Sequence, residues 1–201
     1  MKSMSIRNRI ILTLLILLAA YQVVFGLNKY EGIVAFYFTI SFGVLIIAGI
    51  LLVLFGFEIL ESPAVVMVAA LIPLGLSLGF IRKFAPSIHL PFLLFAILSV
   101  PLIFLTRWKA SQSTANLILS LVHAISGIVI FFLPLKLVWQ KEVSPFFLLV
   151  TFGGALIGIL GLLLALDRAG RSVIPKEKLH SLFPIVLLLA TLAFVFGMMV
   201  V

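Results

Sequence analysis

The 201-residue chain has no cysteine, a single aspartate and only six acidic residues in all. Without cysteine there is no disulfide, thiolate metal site, iron–sulfur cluster or cysteine nucleophile. One aspartate alone cannot form an aspartate dyad. Charge of either sign is scarce: charged residues make up 10% of the chain and hydrophobic residues 64%, against roughly 25% and 45–50% in soluble domains. A soluble protein of this size could not enclose so much apolar surface. The bilayer must be its solvent.

What the chain has instead is seven apolar stretches, roughly 10–28, 32–57, 62–81, 84–106, 110–135, 143–166 and 181–201. A spanning helix needs about 20 mainly apolar residues, so each stretch qualifies. The expected fold is an all-α, polytopic integral membrane bundle of seven helices in one domain. The formal charge of +8 belongs to residues at membrane edges, where they set orientation and meet anionic lipid headgroups. Nucleic acid is excluded as a partner, because no loop is large enough to form a base-reading surface.

With the N-terminus inside, Lys2, Arg7, Arg9, Arg107, Lys109, Arg168, Arg171, Lys176 and Lys178 lie on the cytoplasmic side. Lys29, Arg82, Lys83, Lys136 and Lys141 lie outside. The positive-inside bias then favours N-in and C-out, in a multi-pass protein of a prokaryotic cytoplasmic membrane. The first stretch is longer than a signal-peptide core and six spans follow it, so it reads as an uncleaved helix. Trp108 and Trp139 fall near helix ends, as interfacial anchors do. Pro175 suits the first turn of the last helix.

Small residues mark packing faces. In the sixth stretch Thr151, Gly154, Gly158, Gly161 and Ala165 recur at steps of three and four, which predicts a seam along one helix face. In the fifth, Ser113, Asn116, Ser120, His123 and Gly127 follow the same rhythm. The two stretches are expected to form a close hairpin with the polar stripe inward. Gly75 with Gly79, and Ala193 with Gly197, give further small-xxx-small pairs. Pro73, Pro101, Pro134 and Pro184 can each kink their helices. A faint echo between Ser87–Leu94 and Leu179–Val186 hints at inverted repeats of spans two to four and five to seven.

Few residues carry chemistry. His123 lies about 20 Å beyond the edge at Lys109 at 1.5 Å per residue, near mid-bilayer, where an ionisable group is a functional candidate. Asn116, Ser120, His123 and Thr151 form the candidate intramembrane polar site, with His123 expected to bond Thr151 or a carbonyl across the seam. Glu58 and Glu61 are three apart and share a face at the inner end of the second helix, possible company for Arg107 or Arg168. His89, His123 and His180 sit at different depths, which disfavours bis-histidine haem or a metal centre, so no cofactor is expected. A retinal protein needs a lysine in its last helix, and the seventh stretch has none. Phosphate loops, His-Glu-x-x-His and nucleophile elbows are missing, and Ser120 with His123 lacks an orienting acid. No catalytic residue is assigned. The sequence favours a packing or accessory-subunit role in a membrane complex, its partners being lipids and other subunits. The alternatives are a transporter or channel using the stripe of the fifth helix, and a lipid enzyme using Glu58 and Glu61.

Overall fold

The computed structural model describes residues 4–168 and 170–201. Among these the chain folds into helices and loops alone, and seven helical segments are long and apolar enough to cross a membrane. They are Ile6–Gly26, Gly32–Glu61, Pro63–Phe84, Pro86–Lys109, Gln112–Trp139, Pro145–Asp167 and Lys176–Met198. The protein is an all-helical, multi-pass membrane bundle. Among the described residues eight α-helices build it: α1 (Ile6–Tyr21), α2 (Gly32–Phe55), α3 (Pro63–Ala69), α4 (Leu71–Phe84), α5 (His89–Lys109), α6 (Gln112–Trp139), α7 (Leu148–Arg168) and α8 (Lys176–Met198).

Local chemistry accounts for where these elements start and stop. Helix α1 begins at Ile6, ahead of its apolar run, because the Ser5 side chain accepts from the Asn8 N–H at 3.3 Å, a cap that satisfies one orphan donor. It ends in a π-helical turn, Gln22–Gly26. Gly56, at φ 71°, closes α2 in a conformation that suits glycine; a 3₁₀ extension, Gly56–Glu61, follows. The third span is two helices. Pro73 has no N–H for the carbonyl four residues back and its ring crowds that carbonyl; α3 accordingly stops at Ala69 and α4 restarts at Leu71. Pro101, Pro134 and Pro184 lie inside continuous helices. Helix α8 starts at Lys176 rather than near 181, with Pro175 as its N-cap residue.

Six helices close a ring. Going round it, α1 packs on α2, α2 on α4, α4 on α6, α6 on α7, α7 on α8, and α8 back on α1. Helix α5 lies outside, against α3, α4 and α6. The arrangement lacks the symmetry of inverted repeats: α8 packs extensively on α7, whereas α5, its would-be counterpart, has only a small contact with α4. We call the end of the bundle holding Ile6 the near face and the opposite end the far face.

Side chains fill the ring. Toward the far face an edge-to-face chain of rings links Tyr30 to Phe38 (4.9 Å), Phe38 to Phe80 (5.2 Å) and Phe80 to Phe147 (5.6 Å). Near the other end Leu12, Leu52, Leu160, Leu179 and Phe183 form a separate cluster. A third cluster, with Ala70, Leu74, Leu78, Ala96, Ile103 and Val122, lies under α5. The first and last helices run parallel. Arg7 donates to the Ser181 hydroxyl at the near face, while Lys29 and Tyr30 both donate to the Met198 carbonyl at the far face.

Glycines show where backbones come close. A Cβ on Gly75 would lie 2.8 Å from the Tyr37 carbonyl oxygen, and one on Gly79 would lie 2.3 Å from the Phe38 ring. Helix α2 thus rides on the Gly75–Gly79 face, as small-residue packing in lipid allows. Gly197 meets α7 at Val150, and Gly153 meets α8 at Phe194 and Ala190. The expected seam of α7 is tight over only part of its length. Gly154 packs on Ile130 of α6, but Gly158 and Gly161 have open space where a Cβ would stand. The neighbour on that face reaches Gly154 and stops short of Gly158 and Gly161, and the closest glycine contacts of α7 are made by Gly153 on its α8 side.

Gly75→Ala should therefore cost about 1–3 kcal/mol by overpacking. Gly158→Ala, free of contacts and better suited to a helix interior, should gain roughly 0.5–1 kcal/mol. Thermal unfolding of the two variants in detergent reads the opposite signs; equal effects would refute the assigned faces.

Candidate functional site

The stripe of α6 begins at its first turn, where Ser111 caps the helix by accepting from Thr114 N–H at 3.2 Å. Asn116 accepts from the Gln112 side chain at 3.2 Å, and Ser120 is exposed. His123 Nδ1 lies 3.0 Å from the Leu119 carbonyl oxygen of its own helix. A carbonyl can only accept, so the ring donates through Nδ1 and keeps Nε2 for other partners. Thr151 does not meet it: its hydroxyl donates to the Phe131 carbonyl at 2.9 Å. Phe131 lies eight residues further along α6 than His123, about 12 Å of helix. The expected four-residue site is thus divided. Thr151 fastens α7 to α6 at Phe131, while Asn116, Ser120 and His123 lie nearer the start of α6.

Toward the near face both helices carry small residues with open space beside them. Asn116, Ser120, His123 and Gly127 share the face of α6 that carries Ile130, and Gly158 and Gly161 share the face of α7 that carries Gly154. Gly127 too has open space at its Cβ position. The exposed Ala165 continues the α7 side.

Glu58 and Glu61 lie on the 3₁₀ extension of α2, not on the α-helix itself, and both are exposed. With three residues per turn their side chains eclipse. Beside them Phe57 stacks on His180 (4.6 Å between centroids) and meets Phe183 edge-on. Asp167 sits 3.8 Å from Lys176. Lys2 and the side chain of Arg168 lie outside the described residues. Among the described residues no three histidine or acidic side chains converge.

Several polar groups had no sequence signal. Gln22, in the π-helical turn, is 0% exposed, and both amide atoms lack a hydrogen-bond partner among the described residues. A Cβ on Gly26 would lie 2.1 Å from Gln22 Oε1, so glycine there makes room for the amide. Ser77 donates to the Ser126 carbonyl at 3.0 Å, joining α4 to α6. Tyr37 and His89 Nε2 are 3.1 Å apart. At the far face Lys83 lies over the Tyr30 ring at 4.6 Å and Lys29 at 5.4 Å, cation–π contacts on a ring whose hydroxyl is already tied to Met198. Burial, with the charge of Lys83 adding to it, lowers the Lys29 pKa below 10.5. Burial raises that of Tyr30 above 10.0.

The buried, unpartnered amide of Gln22 predicts that Gln22→Met raises stability by about 1–3 kcal/mol, read as a higher thermal midpoint. The far-face pair predicts a pH profile. Folded Lys29 binds its proton less well than the unfolded chain, so stability rises as pH climbs from its lowered pKa toward 10.5. Folded Tyr30 holds its proton better, so its contribution is complete below 10.0 and lost above it. Lys29→Met should reduce the rise and Tyr30→Phe the fall in a thermal-midpoint scan.

Compared with known proteins, the chain matches no family model, no curated protein and no solved structure.

Proposed function

We propose that the protein is an accessory subunit of a membrane complex, holding a helix of a partner subunit against the small-residue faces of α6 and α7. The observation that carries this reading is the open space beside the glycines of those faces. Gly127, Gly158 and Gly161 have open space at their Cβ positions, and Ser120 is exposed beside them. In lipid, small residues favour close helix approach, and hydroxyl, amide and imidazole groups are the side chains that bond across helices. A polar group gains little from facing hydrocarbon. A helix seated against α6 and α7 would gain both kinds of contact, with Asn116, Ser120 and His123 Nε2 offered to it. The Lys and Arg distribution supports an N-terminus inside, which puts those faces toward the cytoplasmic side.

The chain has no cysteine, so Gly161→Cys creates a unique attachment point for a crosslinker. In native membranes it should capture one protein reproducibly, and that protein should co-purify with the wild-type chain in mild detergent. Gly158→Leu should abolish co-purification without lowering the thermal midpoint. A wild-type chain that purifies as a stable lone monomer, with no crosslinked product, would sink the proposal.

A further inference from the structure

Two apolar grooves flank the last turns of α6 at the far face. One, of about 600 Å³, runs between α6 and the end of α4 with the turn that follows; its walls include Ile81, Ile88, Ile128 and Phe132, with Lys136 and Trp139 at its far end. The other, of about 430 Å³, lies toward α7 and is lined by Leu135, Val138, Trp139, Lys141 and Leu148. Leu135 and Trp139 line both, so they form the ridge between the grooves. From Ile128 to Lys136 is eight residues, about 12 Å along the helix. The larger groove therefore runs from the level of Trp139 well down into the hydrocarbon.

Three further observations bear on what lies there. Trp139 is 89% exposed, placed as amphipathic rings at the headgroup level are. Lys136 and Lys141, one to each groove, are both exposed. Lys141 is also the sole non-glycine residue with positive φ (59°) among the described residues. Its N–H donates to the Val138 carbonyl at 3.0 Å and that of Glu142 to the Leu137 carbonyl at 2.9 Å, a tight turn that returns the chain to the end of α6. Glu142, also exposed, is the one acid in this turn, so the two lysines leave an excess of positive charge.

We propose that the far end of α6 is a binding site for one anionic diacyl phospholipid. Its two tails lie in the grooves on either side of Leu135, its glycerol region rests against Trp139, and its phosphate meets Lys136 and Lys141. A single partner helix would fill one groove and leave the other empty; a two-tailed lipid fits a forked surface. Cations at the mouths of both grooves select a net negative headgroup over a zwitterionic one. The site lies at the opposite end of α6 from Asn116, Ser120 and His123 and does not depend on the subunit reading.

The test is native mass spectrometry of the purified chain released from nanodiscs of equal phosphatidylglycerol and phosphatidylcholine. The wild type should retain one phosphatidylglycerol in preference to phosphatidylcholine by roughly thirtyfold, the factor given by two lysines near an anionic surface. The double variant Lys136→Gln, Lys141→Gly should lose that preference. Glycine accommodates a φ of 59° without strain, so Lys141→Gly alone should keep or raise the thermal midpoint, which separates lost binding from lost fold. Lys109→Gln with Lys178→Gln, at the near face, should leave the preference intact. Equal retention of both lipids by the wild type would overturn the site. So would an unchanged preference in the far-face double variant, or an equal loss in the near-face control.

Discussion

The ring of Phe38 lies where a side chain at position 79 would have to be, and much of the bundle follows from that contact. Only glycine at 79 lets α2 and α4 approach this closely, and Gly75 permits the same one turn earlier. Once seated, Phe38 has Tyr30 on one side and Phe80 on the other, and Phe80 in turn meets Phe147 at the start of the sixth span. Loop, second span, third span and sixth span are thereby fixed through one line of rings. Association in lipid cannot draw on the hydrophobic effect, since the tails are as apolar as the side chains, and rests on packing contacts and hydrogen bonds. Interlocked aromatics on a glycine face supply many such contacts in a small space.

Below the aromatic chain the packing divides into two clusters, one among α1, α2, α7 and α8 and one beneath α5. Thr151 on the Phe131 carbonyl and Gly154 on Ile130 mark where the helices still touch. Beyond that point Gly127, Gly158 and Gly161 have open space at their Cβ positions.

The amount legible in the sequence follows from what each pattern encodes. Seven spans could be read because hydropathy over about 20 residues depends on little except the solvent. The pairing at Gly75 and Gly79 could be read because two glycines a turn apart leave a gap that some neighbour must use. The seam of α7 misled: spacing identifies a face and says nothing of whether a neighbour covers all of it. Gly153, one residue off the stripe, makes the closer contact. The proximity of Tyr37 to His89 and the lodging of Gln22 beside Gly26 depend on tertiary arrangement. Periodicity carries no trace of them. The division between α3 and α4 was within reach, since Pro73 points four residues back to the end at Ala69. Of the candidate site, the α6 stripe was visible, and its separation from Thr151 was not.

The ring closes between its first and last helices, through Arg7 with Ser181 at one end and Lys29 and Tyr30 with Met198 at the other. These partners lie some 170 residues apart in the chain, among the most distant contacts it could make. During synthesis α1 therefore waits, one flank bare, until α8 has entered the bilayer. Contacts of such separation form late because the intervening chain must first be ordered. For most of its assembly the protein is an open arc, and its completion is an event that belongs to the final span.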